Sequence, residues 1–334
     1  MAKQNRDGFT LVELLVVITI IGILIGLLLP AVNSMVEKGR RTQCSSNLHN
    51  IALAVKAHAA QHDGQYPTGG WGQGYAGSSW AGDPDRGFGR RQPGGWCYNI
   101  LPYMGETSLH TLGEGENETK AASEHARAAE VSLKAYICPT RRGARPCPYT
   151  RSGGYKNASV ANGSPVGKVD YAMCAGIRYP GTSALYEPSD LSDANDTDKW
   201  STLHRDSRSG VSYYRSEIKD SHISDGESNQ YMVGEKYVNP AHYETGRANS
   251  DNESWNTGFS YDIYKWVQAA PTQDKMNESH NSRFGGPHPA GWQVAFCDGS
   301  VRLISWNISS GAPDYVHQRL GQRNDGEPVD GNAF

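Results

Sequence analysis

Between Phe9 and Leu29 the chain reads FTLVELLVVITIIGILIGLLL, twenty-one residues with a single charge, Glu13. At about 1.5 Å of rise per residue this makes roughly 32 Å of helix, enough to cross the hydrocarbon core of a bilayer. The eight residues before it, MAKQNRDG, carry Lys3 and Arg6. Basic flanks stay on the cytoplasmic side, so a single-pass anchor in the cytoplasmic (inner) membrane is expected, with the C-terminal bulk outside. A cleavable secretory signal would have a shorter apolar core with small residues after it. Here the small residue, Gly8, comes first, and the run before Pro30-Ala31 is too long and uniform for that reading.

The segment Gly8-Phe9-Thr10-Leu11-Val12-Glu13 resembles the type IV prepilin signal. The resemblance implies that a prepilin peptidase cuts after Gly8, releasing residues 1–8 as a leader, and methylates the new amine on Phe9. It also implies a role for Glu13. A carboxylate in a bilayer costs a few kcal/mol and needs a partner; in pilin-like assemblies that partner is the N-terminal amine of an adjacent subunit.

Past the membrane the helical pattern continues to residue 64. Gly22 and Gly26 form a small-xxx-small pair suited to close helix packing. Pro30 lacks an N–H and is expected to kink or open the helix. Leu48, Ile51, Ala52, Val55 and Ala59 recur at helical spacing, an apolar stripe to be buried against a globular domain. His62-Asp63-Gly64 then reads as the helix stop, with Gly64 as the terminator.

From residue 65 to 334 the periodicity changes. Residues 69–95 are rich in Gly and Trp and show no helical pattern. The spacing predicts strands over 131–137, 169–174, 231–238, 259–266, 292–297 and 301–306, and a short helix over 120–131. Asp298-Gly299 between the last two strands predicts a hairpin over 292–306 with a type I′ turn. A long helix followed by mainly antiparallel strands and long loops places the chain in the α+β class, arranged as in type IV pilins. The net charge of −3 argues against a nucleic-acid partner, which would call for a basic stripe.

Further blocks extend the resemblance over nearly the whole chain. They are Arg41-Thr42-Gln43-Cys44 with Asn47-Leu48 and Ile51; Gly95-Trp96 with Ile100-Leu101-Pro102-Tyr103; Ile137-Cys138-Pro139; Asp225-Gly226-Glu227-Ser228-Asn229 with Gly234-Glu235; and His288 followed after nine residues by Asp298-Gly299. In this order they resemble a planctomycete family of prepilin-like proteins defined by a domain of unknown function numbered 1559 (DUF1559), with its C-terminal H-x9-DG motif. The chain departs from that pattern at Pro139-Thr140, where a serine often follows the central cysteine. Six cysteines are present without a Cys-x-x-Cys pair. An even count in an exported protein favours disulfides, with 15 connectivities open. Because Cys44 and Cys138 stand in shared blocks, the resemblance implies that these two pair.

Signs of chemistry are sparse. No P-loop, Gly-x-Ser-x-Gly elbow or His-Glu-x-x-His sequence occurs, so no enzymatic activity and no cofactor are expected. His288 with Asp298 is the one candidate catalytic or metal pair, though a strand entrance and a tight turn explain both. Asp225, Ser228, Asn229 and Glu235 can offer oxygen ligands to calcium, without EF-hand spacing; an Asx-turn accounts for them equally. The acidic stretch Asp190, Asp193, Asn195, Asp196 and Asp198 reads as a solvated loop or a weaker calcium candidate. Trp71, Trp80 and Trp96 in the Gly-rich region are candidate sugar-stacking platforms. Two functions follow. The first is a pseudopilin-like subunit of a type IV pilus or type II secretion-like filament, in contact with membrane lipids and other pilin-like subunits. The second is a membrane-tethered glycan-binding module.

Overall fold

The computed structural model describes residues 10–72, 79–177, 188–193, 209–312, 314–327 and 329. The chain divides into two compact units, Met1–Thr42 and Gln43–Phe334.

In the first unit the helix Leu11–Gln61 begins. Its start is a capping box: Thr10 Oγ1 accepts from Glu13 N (3.3 Å), and Glu13 Oε2 accepts from Thr10 N (2.9 Å). From Leu11 to Leu29 every side chain is exposed, as a lipid-facing span requires. Thr19 turns its hydroxyl onto Leu15 O (2.7 Å), so it brings no unpaired polar group to that surface. The helix runs without interruption through Pro30. Pro30 therefore does not open the helix.

In the second unit the remainder of the helix buries Cys44, Asn47, Leu48, Ile51, Ala52, Ala54, Val55, His58 and Ala59, the predicted stripe with Cys44, Asn47, Ala54 and His58 added. Burying side chains the size of Leu48, Ile51 and Val55 stabilises by about 1.5–3 kcal/mol each. The helix ends in a Schellman motif, Gly64 N donating to Ala59 O (2.9 Å). Asp63 as well as Gly64 is left-handed there (φ 53° and 77°), and a Lys219 ion pair holds the Asp63 carboxylate.

That stripe faces a five-stranded sheet. Nine strands are described: β1 (Cys147–Pro148), β2 (Pro165–Val166), β3 (Tyr171–Cys174), β4 (Tyr231–Glu235), β5 (Tyr264–Lys265), β6 (Thr272–Gln273), β7 (Gly285–Gly286), β8 (Trp292–Phe296) and β9 (Val301–Ile304). The main sheet has the order β5-β3-β4-β8-β9, antiparallel except for the β3–β5 pair. The β1–β2 and β6–β7 pairs are separate ribbons. Alternation sorts the sheet into two cores. Tyr171, Met173, Val233 and Ala295 pack with helix residues Leu48, Ile51 and Val55. Ala172, Cys174, Tyr231, Trp292, Val294, Phe296 and Ile304 pack on the other face with Ile308, Val316 and Leu320. Tyr231 pairs with Phe296 but Val233 with Ala295, so Met232 is a bulged residue. The bulge lets Met232 and Val233 enter the same core.

Several expectations are corrected. Residues 131–137 form no strand; Tyr136 N and Ile137 N close a 3-10 turn onto Leu133 O and Lys134 O, and Tyr136 OH is tied to Cys97 O (2.7 Å). Within 259–266 only Tyr264–Lys265 is strand, because Ser260 and Asp262 bond locally and to Glu253 N. The Gly-rich region contains two 3-10 turns, Pro84–Arg86 and Gly89–Arg91. The helix expected at 120–131 spans Glu118–Glu130, capped by Asn117 accepting from Lys120 N (3.1 Å).

The β8–β9 turn is not type I′. Gly299 N donates to Phe296 O (2.9 Å) and Phe296 N to Ser300 O (2.8 Å). Gly299 is left-handed (φ 85°) and Asp298 is not. Cys297 and Asp298 are thus the central residues, and Gly299 makes the bulge of a three-residue loop. A Cβ at Gly299 would meet nothing within 4 Å, so the cost of Gly299→Val is backbone strain alone. It is expected to be about 1–2 kcal/mol, read as a lowered urea midpoint.

Candidate functional site

Four segments far apart in sequence bring donor atoms to one buried point in the second unit. Cys44 lies on the buried face of the helix, one turn before Leu48. Asn47 beside it donates through Nδ2 to Ile137 O (3.0 Å) and Tyr171 OH (3.3 Å), which fastens the helix to the segment carrying Cys138. Cys138 N donates to Asp170 Oδ2 (2.8 Å), and Cys138 O accepts from Arg141 N and Arg142 N. Glu235 closes β4 opposite Tyr171, and its Oε2 accepts from Gln293 N (2.9 Å). A Cβ at Gly286 would come within 2.8 Å of that oxygen, so any side chain there would displace the carboxylate. His288 follows Gly285-Gly286-Pro287 and is fully buried.

Cys44 Sγ and Cys138 Sγ are 2.8 Å apart, Cys138 Sγ and His288 Nε2 3.8 Å, and His288 Nε2 and Glu235 Oε1 3.0 Å. All four donor atoms lie within 4.8 Å of one another. The structure thus brings together the predicted cysteine pair, but as free thiols, beyond the covalent distance of about 2.05 Å. The expected Cys44–Cys138 disulfide is corrected accordingly; Cys97, Cys147, Cys174 and Cys297 are free and buried as well. Burial pushes the Cys138 thiol well above its ordinary range. Burial would lower His288, but the hydrogen bonds to Cys138 and Glu235 outweigh it and raise the imidazole to about 11.

Beneath this point lies a buried ionic network that sequence reasoning missed. Arg142 pairs with Asp170 and Asp251, Arg141 with Asp274 (2.8 Å) and Asp170 (3.5 Å), and Lys236 with Asp251 (3.0 Å). These side chains are essentially inaccessible. Burial opposes the charge on Asp251, but Arg142 and Lys236 more than offset it and hold the carboxyl well below the usual range. The adjacent Arg141-Arg142 followed by Asp170, Asp251 and Asp274 carries no recognisable spacing, so only the fold reveals the network.

The other predicted residues do not converge. His288 precedes β8 and Asp298 follows it, so they are not a pair. Asp298 serves its turn, its Oδ1 accepting from Ser300 N (2.9 Å) and Oγ (2.7 Å). Asp225 holds the C-terminal segment through Asp325 N (2.7 Å) and Gly326 N, and Asn229 donates to Asp225 O (3.1 Å). Gly226 is left-handed (φ 94°) and leads into the 3-10 turn that contains Ser228. Glu235 is at the far end of β4 from this group, so the calcium candidates share no point. Asp190 and Asp193 bond within their own turn; Asn195, Asp196 and Asp198 lie outside the described residues, as do Gly8 and Phe9. Trp71, Trp80 and Trp96 are buried core, Trp71 and Trp80 packed edge to face at 5.0 Å. Trp80 borders a polar cleft of about 620 Å³ with Asp83, Arg86 and Lys156, but it offers no face for a sugar. These three tryptophans therefore lend the glycan-module reading no support.

A long exposed apolar helix leading into a helix-on-antiparallel-sheet domain defines a membrane-anchored, pilin-like protein. Residues 3–29 match the prokaryotic N-terminal methylation motif. Residues 33–311 match the family described as Protein of unknown function (DUF1559), and the chain belongs to that family. All four converging donors fall inside that match. Over 64 residues the chain is 32% identical to the ComG operon protein 3 homolog of Bacillus licheniformis; the stretch is 19% of this chain and 66% of that protein, just under two thirds of its length. No solved structure is a significant match.

Proposed function

We propose that the chain is a processed, pilin-like subunit, cut after Gly8, methylated at Phe9 and held in the cytoplasmic membrane with its α+β domain outside. It has no enzymatic activity of its own and acts by assembly with other pilin-like subunits, in a pilus or a secretion-type filament. The observation that carries this reading is the methylation motif over residues 3–29, continuous with a helix whose first nineteen residues, Leu11 to Leu29, are all exposed. Glu13 receives the amine of a neighbouring Phe9 in such an assembly. Its capping contact to Thr10 uses Oε2 and is compatible with that role.

The test is mass spectrometry of the N-terminal peptide from membranes of the native host. A peptide beginning at N-methylated Phe9 is expected; one beginning at Met1 or Ala2, or near Ala31, would overturn the proposal. Glu13→Gln separates the two roles of the carboxylate, since Gln keeps the capping box and loses the charge. Cross-linked oligomers in membranes are expected to disappear in Glu13→Gln. If they persist, pairing with an amine is not what holds subunits together.

A further inference from the structure

We propose that Cys44, Cys138, Glu235 and His288 form a closed, four-ligand site for a borderline-soft divalent cation, zinc above all, that clamps the helix to the sheet. Two sulfurs, an imidazole nitrogen and a carboxylate oxygen are the donors zinc takes in tetrahedral sites. The donors come from the helix (Cys44), the segment preceding Asp170 (Cys138), the end of β4 (Glu235) and the entry to β8 (His288), all buried.

The convergence of four donors favours a cation over a disulfide. Zinc–ligand bonds of about 2.0–2.3 Å give tetrahedral edges of roughly 3.3–3.8 Å. The Sγ–Nε2 and Nε2–Oε1 separations, 3.8 and 3.0 Å, are already near that size. The two sulfurs, at 2.8 Å, need to part by about 1 Å. A disulfide would use two of the four donors and leave the buried Glu235–His288 ion pair (3.0 Å) standing beside it. One cation engages all four donors. On binding, both thiols lose their protons and His288 coordinates as the neutral imidazole. Two thiolates, a carboxylate and a divalent cation leave one net negative charge. Around the ligands, Asn47 and Asp170 hold the Ile137–Cys138 peptide by its carbonyl and its N–H, the kind of outer-shell support such sites use. With four protein ligands no coordination position is open, so the role is structural.

The experiment is elemental mass spectrometry on the full chain purified in detergent without chelators. About one zinc per chain is expected. Cys44 and Cys138 should resist alkylation until a strong chelator is added. Cobalt exchanged into the site should show thiolate-to-metal charge transfer and the absorption of a tetrahedral ion. Because Cys138→Ser puts folding itself at risk, Glu235→Gln and His288→Gln are tested by chelator competition. Each should weaken zinc by more than the ~10–100-fold that loss of an outer-shell partner costs, with Cys174→Ala unchanged. A metal-free chain that takes up no added zinc or cobalt overturns the proposal, whether peptide mapping finds the two cysteines bridged or as thiols. So does zinc bound equally well by the Glu235→Gln and His288→Gln variants.

Discussion

Arg142→Ala is expected to destabilise the α+β domain by about 3–5 kcal/mol, a large share of the 5–15 kcal/mol that holds a typical domain folded. The guanidinium is wholly inaccessible and spans two carboxylates, Asp170 and Asp251. One of its nitrogens also donates to Tyr243 O (2.7 Å). Removing it leaves Asp170 and part of Asp251 buried and uncompensated. Lys236 remains on Asp251, whereas the guanidinium left to the Asp170 carboxylate is the more distant Arg141 at 3.5 Å. Arg142→Lys keeps the charge and loses the fork, so its cost should fall between wild type and Arg142→Ala. Denaturant titration or limited proteolysis in membranes gives the ranking. An unchanged midpoint for Arg142→Ala would show that the network is not what holds these segments together.

The domain is expected to lose stability in mild acid, with His317 a principal cause. Its ring is fully buried among Tyr231, Phe284 and Trp292 at 5.6–6.4 Å. Neither ring nitrogen has a hydrogen-bond partner among the described residues. Burial alone lowers its pKa to about 3 from 6.5. Between those two values the unfolded chain binds more protons than the folded one. Stability therefore rises with pH across that window and falls as acid is added, by about 1.4 kcal/mol per pH unit, or about 2 kcal/mol at pH 5. His58, lowered to about 3 by burial and the nearby His62, acts in the same direction. Asp262 opposes them, since burial and Glu253 raise it to about 6; it favours the folded state as pH falls from there toward 3.8. His317→Phe should flatten the dependence of stability on pH between 6.5 and 4. An identical slope in that variant would mean that His317 is not buried as a neutral ring.

The elements legible in sequence were those with long or strict periodicity. The span from Leu11, the stripe Leu48 to Ala59 and the β8–β9 hairpin each repeat one choice many times, and local pattern decides them. Residues 131–137 and 259–266 look equally strand-like, but Tyr136 and Asp262 are committed to distant partners, Cys97 O and Glu253 N. Those contacts set the backbone. At the buried cluster, each donor was singled out and the two cysteines were matched with each other, but His288 and Glu235 were given other companions. Cys44 and Cys138 were read as a covalent pair, His288 was matched with Asp298, and Glu235 with Asp225. Chain proximity suggested the last two matches. Strand register decided otherwise, by placing Glu235 opposite Tyr171 and drawing the carboxylate to the entrance of β8. The Thr10–Glu13 capping box was readable as Thr-x-x-Glu, but the membrane setting drew attention to the charge instead.

The order of strands has a consequence for synthesis. β8 lies inside the sheet, between β4 and β9, and Tyr231 finds its ladder partner only in Phe296. The apolar helix precedes β8 in the chain by more than two hundred residues and can be delivered to the membrane before that strand is made. Until residue 296 is available, β4 presents an unpaired edge and its side chains lack their second core. Such non-local closure is slow, so the tethered chain must pass through a period when it is anchored but open, exposed to proteases and to the edges of its neighbours. Chains cut short before Trp292 should be cleared rather than accumulate, which makes the β8–β9 hairpin a checkpoint on completion of the sheet.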